Sequence, residues 1–144
     1  RVGGAEVHLL DVDGAAQVAA APYLRPTAGV WVVAEVRVHA MHEPASVRYA
    51  AIVDADGNEY RASKRFGLYV VGLPVEPGVD VTGPIAFELP ADAAVPLELR
   101  LARSTDLRLD AVAVIDLPVS AADLTTWAAE PEPLELGERE VVVP

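Results

Sequence analysis

Two histidines and the only methionine of the chain lie close together in the segment His39-Ala40-Met41-His42. Imidazole and thioether groups suit copper, and the chain has no cysteine that could supply a thiolate ligand. On a strand, His39 and Met41 point to the same side, and His42 follows in the turn. These three residues are therefore a candidate copper site. The simpler interpretation is surface histidines at a strand end, because no further strong ligand is evident and His8 is distant in sequence.

The one concentrated group of basic residues consists of Arg61, Lys64 and Arg65, with Phe66 and Tyr69 close behind. Guanidinium and ammonium groups bind carboxylates, so this group could contact an acidic glycan or the acidic side chains of a partner protein. A solvated loop explains the same residues without any ligand. These five residues are the candidate partner-binding site.

The acidic segment at residues 54–59 has a distant similarity to a calcium-binding loop. Such a loop needs oxygen ligands at alternate positions, glycine at the sixth and glutamate at the twelfth. Here glycine is at the fourth position and Arg65 is at the twelfth. A β-hairpin turn explains the segment better, with Asp54 accepting backbone N–H bonds and Gly57 adopting positive φ.

Enzyme motifs are not found in the sequence. The chain has no G-x-S-x-G, no H-E-x-x-H and no glycine-rich phosphate loop. A serine nucleophile needs a histidine and an acid arranged around it. The serines lie in turn-like sequence with no histidine beside them: Ser46, Ser63, Ser104 and Ser120. We therefore predict a non-catalytic protein without a cofactor.

Length and charge limit the class of protein. A chain of 144 residues is enough for one domain with its own core, without a disulfide or a metal. The net charge of -11 repels nucleic acid and anionic lipid head groups. No run of about 18 apolar residues is present, so we predict no membrane-spanning helix.

Alternating apolar residues predict strands. The strongest alternation covers residues 30–41, where Val32 to Ala40 at every second position form one face and Glu35, Arg37 and His39 the other. Two more alternating runs, 85–89 and 97–101, are separated by a proline-containing turn and are predicted to form an antiparallel pair with one buried face. Residues 107–117 form a final strand.

Weaker signals fill the spaces between these strands. Residues 47–53 and 59–61 flank the hairpin turn, and 2–12 form a first strand. The alanine-rich run 15–21 is either a helical turn or an irregular strand. Pro22 and Pro26 are expected to bracket a loop. Short strands with Gly/Pro turns and no long helical pattern predict an all-β sandwich, with a closed barrel as the alternative.

The last part of the chain has a different composition. Ser120 to Asp123 resembles a capping box before a short helix through Ala129. The sequence Glu130-Pro131-Glu132-Pro133 is a stiff spacer. We therefore divide the chain into a β-sandwich at 1–117 and a tail of helix and acidic linker at 118–144. The valine run at 141–143 is either a strand docked on the sandwich edge or the beginning of a further segment.

Four segments together resemble a known family: G-V-W-V-V-A-E-V-R-V (29–38), D-A-D-G-N-E-Y (54–60), L-P-V-E-P-G-V-D-V-T-G-P-I-A-F-E-L-P (73–90) and L-E-L-R-L (97–101). Their order and spacing resemble the telokin-like, immunoprotective extracellular family, over about residues 27–117. The resemblance implies an immunoglobulin-like antiparallel β-sandwich that is secreted or attached to the cell envelope of a bacterium. It transfers no catalytic residues.

The expected function is a non-catalytic binding domain. Its partner would be another envelope or secreted protein, met through the sandwich loops or an exposed strand edge. A copper-handling exported domain and a structural spacer in a membrane-anchored protein are the alternatives.

Overall fold

The computed structural model describes residues 5–20, 23–41, 44–63, 75–102, 113–136 and 140–142. They form two sheets and one short helix, which confirms the all-β sandwich and favours it over a closed barrel. The helix, α1 (Ala121–Ala128), is the single helix of these ranges. No helix within them is long and apolar enough to cross a membrane.

The larger sheet has five strands in the order β8-β1-β2-β5-β9. All neighbours are antiparallel except β8, which runs parallel to β1. The strands are β1 (Ala5–Ala20), β2 (Tyr23–Ala40), β5 (Asp80–Leu89), β8 (Leu134–Glu135) and β9 (Glu140–Val142).

The smaller sheet has four antiparallel strands in the order β4-β3-β6-β7. They are β3 (Tyr49–Val53), β4 (Glu59–Arg61), β6 (Leu97–Ala102) and β7 (Ala113–Leu117). The turn between β3 and β4 has Gly57 at φ 85°, so the predicted hairpin is confirmed.

The main core lies between the two sheets and follows the predicted alternation of β2. Every second residue from Val30 to Ala40 is buried, whereas Glu35, Arg37 and His39 are partly exposed on the outer face. The largest wholly buried contributions from other strands come from Phe87, Ile52, Leu97, Leu99 and Leu101. Burial of this apolar surface is the main stabilising term of the fold.

A second apolar cluster lies on the outer face of the five-stranded sheet. Trp31 is 0% exposed there and packs with Val18, Val33 and Ala86. Leu134 and the following Leu136 cover this cluster from outside. Leu134 and Leu136 of the tail therefore help to bury the Trp31 indole, which lies on the face turned away from the main core.

The predicted pairing of 85–89 with 97–101 is wrong. The first run is part of β5, which pairs with β2, and the second is β6, which pairs with β3 and β7. Alternation shows which residues share a face but not which strand lies beside them. Strand β5 has apolar side chains on both faces, because Phe87 packs in the main core and Ala86 packs in the outer cluster. The connection between β5 and β6 therefore crosses from one sheet to the other.

The loop expected between Pro22 and Pro26 is also wrong for its described part. Strand β2 begins at Tyr23, and Pro26 is paired with Gln17 inside the β1–β2 hairpin. The register shifts between Ala15 and Gln17, and a proline is tolerated at such an irregularity because it lacks only one ladder donor. Residues 15–20 are strand and not helix.

The helix prediction is confirmed. Ser120 accepts a hydrogen bond from Asp123 N, and the Asp123 carboxylate accepts one from Ser120 N, which completes the capping box. Val141 and Val142 of the valine run pair with β5, so this part of the run is a docked edge strand, and Val143 lies outside the described residues. The division of the chain at residue 117 stays a prediction.

Candidate functional site

His39 lies in a row of three polar residues across the outer face of the five-stranded sheet. Its direct neighbours are Glu6 on β1 and Asp80 on β5. A hydrogen bond of 2.6 Å joins His39 Nδ1 to Asp80 Oδ1. Arg37 Nε is 3.9 Å from the other Asp80 oxygen. The carboxylate of Asp80 therefore fixes one nitrogen of the imidazole.

His8 is brought to the same face by the β1–β2 hairpin, although it is distant from His39 in sequence. It is the direct partner of Arg37, one row away from the Glu6–His39 pair. The His8 Nε2 atom is 3.7 Å from Glu6 Oε2. No local sequence pattern indicates this proximity, because only the register of the hairpin places residues 8 and 37 opposite each other.

The predicted copper ligands are not brought together as a set by the described residues. Met41 follows directly after the end of β2, and His42 lies outside the described residues. Across the described ranges, no three His, Cys, Asp or Glu side chains are arranged to hold a metal ion. The site of His39, Met41 and His42 therefore stays a prediction.

Arg61, the first residue of the predicted basic group, is fixed on the outer face of the four-stranded sheet. Its Nε donates a hydrogen bond of 2.8 Å to Glu59 Oε1, and its guanidinium lies 5.5 Å from the centre of the Tyr49 ring. The Tyr49 hydroxyl donates to the other Glu59 oxygen at 3.0 Å. We call Tyr49, Glu59, Arg61 and Arg100 the arginine–tyrosine patch. Lys64, Arg65, Phe66 and Tyr69 lie outside the described residues.

The electrostatics of the patch follow from its burial and contacts. The hydrogen bond from Arg61 lowers the pKa of Glu59 below its ordinary value, and the bond from Tyr49 adds to this. Burial, together with the hydrogen bond to Glu59, raises the pKa of Tyr49. Glu59 is therefore ionised and Tyr49 is neutral at neutral pH. The Arg61 guanidinium thus contacts a carboxylate at Glu59 and an aromatic ring at Tyr49.

Arg100 lies on β6, on the same face of the sheet, and is the direct partner of Ala51 on the neighbouring strand β3. One of its Nη atoms donates to Glu98 Oε2 at 3.0 Å, but its Nε is buried and has no hydrogen-bond partner. A buried donor without a partner costs about 1–3 kcal/mol. The patch thus presents two arginines, a residue type that is enriched where proteins bind each other. Tyr49 is buried beneath them and supports Arg61 through its ring.

The turn at Asp54 is structural. The carboxylate accepts hydrogen bonds from the N–H groups of Asp56 and Asn58, from Asn58 Nδ2 and from the Tyr60 hydroxyl. Both oxygens are occupied by donors, which leaves no lone pair directed at a calcium ion.

An acidic groove of about 280 Å³ lies between the outer face and the tail. Its carboxylates come from Asp11, Asp13, Glu35 and Glu135, and its apolar wall includes Leu134. Asp11 and Asp13 each accept a hydrogen bond from the following N–H group. The groove is charged, but no three of its carboxylates converge on one point.

Comparison with protein-family models, curated proteins and solved structures finds no match to this chain. The class that fold and site define is an all-β sandwich with an arginine–tyrosine patch on one sheet and a histidine–carboxylate row on the other.

Proposed function

We propose that this protein is a non-catalytic interaction domain, secreted or attached to the cell envelope, and that its arginine–tyrosine patch binds acidic groups of a partner protein. The location and the telokin-like assignment rest on the sequence resemblance. The binding role rests on one observation, the fixed and outward-facing guanidinium of Arg61.

The geometry at Arg61 supports this role. The side chain is 65% exposed although Glu59 and Tyr49 hold it in place. The bond to Glu59 uses Nε and leaves both Nη groups for a carboxylate of the partner. A guanidinium that is already ordered loses less rotamer entropy on binding than a free arginine side chain does.

The test is a cross-linking pull-down from solubilised cell envelope of the source organism, with the full chain as bait. The variant Arg61→Gln is expected to capture about tenfold less partner, because one charge-assisted bidentate contact is lost. Arg25→Gln, on β2 of the other sheet, is the charge-matched control and should capture the wild-type amount. Equal capture by both variants would contradict the proposal.

Copper handling is the second candidate function, and the His39–Asp80 hydrogen bond supports it. A carboxylate bound to one ring nitrogen orients an imidazole whose other nitrogen binds a metal. Calorimetric titration with Cu(I), Cu(II) and Zn(II) is the test, and His39→Ala should abolish the heat. Met41→Leu should weaken Cu(I) alone, since it removes the thioether but keeps the side-chain size. A wild-type chain that gives no heat would exclude this function.

A further inference from the structure

Aspartate is followed directly by glycine at two places in the chain, Asp13-Gly14 and Asp56-Gly57. At such a step the glycine nitrogen can attack the side-chain carboxyl group of the aspartate, because glycine has no side chain that hinders the approach. The attack closes a five-membered imide ring once the peptide plane has turned the nitrogen towards Cγ. Both steps have the same two residues, so the fold decides which of them reacts.

The step Asp13-Gly14 lies inside β1 and is closely packed. Both residues pair with β2, and a Cβ atom on Gly14 would lie 2.5 Å from the Trp127 ring and 2.6 Å from the Trp31 carbonyl oxygen. Gly14 N donates a hydrogen bond of 2.8 Å to Asp13 Oδ1, which brings the reacting groups near each other. Attack still needs the planar peptide group to rotate, because the N–H points at the carboxylate and not the nitrogen lone pair. The packing around Gly14 opposes this rotation.

The step Asp56-Gly57 lies in the turn between β3 and β4, outside both strands. Both residues are exposed, and Gly57 has a φ of 85°. Within the described part of the chain, no atom beyond its own neighbours lies within 4 Å of the position that a Cβ on Gly57 would take. The peptide group between Asp56 and Gly57 can therefore rotate without a steric clash.

One hydrogen bond restrains this exposed step. Gly57 N donates to Asp54 O at 3.1 Å, as in a β-turn. Hydrogen bonds of exposed turns open at little cost in free energy, whereas those of a packed sheet open only when a larger unit unfolds. The reactive arrangement is therefore reached more often at Asp56 than at Asp13.

We infer that Asp56 is a site of spontaneous isomerisation to isoaspartate in the folded protein. The Gly57 nitrogen bonds to Asp56 Cγ while the bond from Cγ to the carboxyl hydroxyl oxygen breaks, and this hydroxyl leaves as water with the proton of the nitrogen. A second water molecule then adds to the α-carbonyl carbon of the imide, and the bond from this carbon to the Gly57 nitrogen breaks. The chain now continues through Cβ and Cγ, and the α-carboxyl group of residue 56 is free.

The product has one more carbon atom in the backbone of the turn. The Asp54 carboxylate accepts hydrogen bonds from the N–H groups on both sides of the changed step, from Asp56 at 3.0 Å and from Asn58 at 2.8 Å. An added backbone atom between these donors changes their separation, so both bonds cannot keep their present lengths. Isomerisation should therefore loosen the hairpin that holds Arg61 beside β3. The inference does not depend on what the arginine–tyrosine patch binds.

The test compares the two steps in the folded and the unfolded chain. The full chain is incubated for several weeks well below its Tm, and a parallel sample is incubated in urea. Isoaspartate at each position is then measured in the digested chain by peptide separation and electron-transfer fragmentation. Total isoaspartate is measured with an isoaspartate-specific carboxyl methyltransferase, which transfers a labelled methyl group from S-adenosylmethionine to the new α-carboxylate.

The unfolded chain should react at similar rates at both positions, because the same two residues form each step. In the folded chain, isoaspartate should form several-fold faster at Asp56 than at Asp13. Equal rates at the two positions of the folded chain would overturn the inference. So would a folded chain without isoaspartate at Asp56 when the unfolded chain forms it there.

Two variants test the chemistry and the restraint separately. Asp56→Glu keeps the charge but has one more side-chain carbon, which disfavours ring closure, so isoaspartate at this position should disappear. Asp54→Asn weakens the hydrogen bonds that flank the step and should raise the rate at Asp56 several-fold, with thermal melting to show that the variant is folded. An unchanged rate in Asp54→Asn would overturn the restraint by the turn.

The consequence for the hairpin is measured on the isomerised chain after its separation by anion exchange. Its Asn58 amide hydrogen should exchange several-fold faster than in the unmodified chain, because the bond to Asp54 is weakened. Unchanged protection of this amide would overturn the loosening of the turn.

Discussion

Asp54 shows how one carboxylate organises a hairpin. Its side chain is buried in the turn, where four donor groups surround it. Burial alone would raise the pKa of Asp54, but the hydrogen bonds from Asn58 and from the Asp56 N–H group outweigh it and lower the pKa below its ordinary value. The ionised form therefore stabilises the folded chain.

The sign of the pH dependence follows from this lowered pKa. Stability from Asp54 is complete above the unfolded-state pKa of about 4 and is lost as the pH falls to the folded-state value. In thermal melts, Asp54→Asn should have a lower Tm than the wild type at pH 7. Below about pH 4 its Tm should fall less steeply than the Tm of the wild type, because the carboxylate that would be protonated is absent. Asp56→Asn, whose exposed side chain accepts none of these bonds, should behave like wild type. If the Tm of Asp54→Asn fell with pH as steeply as that of the wild type, Asp54 would not be the source of this acid sensitivity.

Gly14 is the residue that lets α1 approach the sheet. A Cβ atom at this position would lie 2.5 Å from the Trp127 ring and 2.6 Å from the Trp31 carbonyl oxygen. Because one obstacle is backbone, a side-chain rotation alone does not relieve the clash. Gly14→Ala should therefore destabilise the protein by about 1–3 kcal/mol in urea unfolding. Asp11→Ala on the same strand should stay within about 0.5 kcal/mol.

At the scale of elements, α1 depends on its first turn and on Leu124. The helix has eight residues, too few to be stable alone, and Leu124 is its one buried side chain. The capping box between Ser120 and Asp123 satisfies two backbone donors of that turn.

Removing this cap gives a direct test. Ser120→Ala is expected to cost about 1 kcal/mol of unfolding free energy, measured with urea. Thr125→Ala removes an exposed hydroxyl from the same helix and should cost less than about 0.5 kcal/mol. Equal effects would mean that the cap does not stabilise α1 in the folded chain.

The sequence predicted the faces of the strands better than their partners. Alternation correctly separated Val36 and Val38 from Glu35 and Arg37 on β2. It could not predict that β5 and β6 lie in different sheets, because partners depend on which layer each face meets. The pairing of His8 with Arg37 depends on the hairpin register, which no local pattern encodes.

At the scale of the whole molecule, the five-stranded sheet is covered by the main core on one face and by the tail on part of the other. The main core lies on one side, and Trp31 with its neighbours lies under Leu134 and Leu136 on the other. The tail also pairs with both outer strands of the β1-β2-β5 sheet, through β8 at Val18 and Ala19 of β1 and through β9 at residues 80–82 of β5. Paired edges are less available for uncontrolled strand addition by other chains.

Loss of the apolar contacts that the tail makes with the Trp31 cluster should therefore affect the whole domain. Leu134→Ala with Leu136→Ala is expected to lower the unfolding free energy by about 2–4 kcal/mol, because two partly buried leucines leave the Trp31 cluster. The variant should also make tryptophan fluorescence more accessible to acrylamide. Leu24→Ala, at a side chain that is 50% exposed, should change neither quantity appreciably. Unchanged quenching would mean that Leu134 and Leu136 do not shield Trp31.

The position of β9 in the chain has a consequence for biosynthesis. Strand β5 is made long before its outer neighbour Glu140–Val142, and the intervening residues take a few seconds to synthesise at ordinary elongation rates. Until the tail has been made and has docked, Trp31 lacks the cover of Leu134 and Leu136, and β5 lacks its outer neighbour. Chaperones that bind nascent chains would meet this protein in that state, and slow translation of residues 90–140 would prolong the encounter.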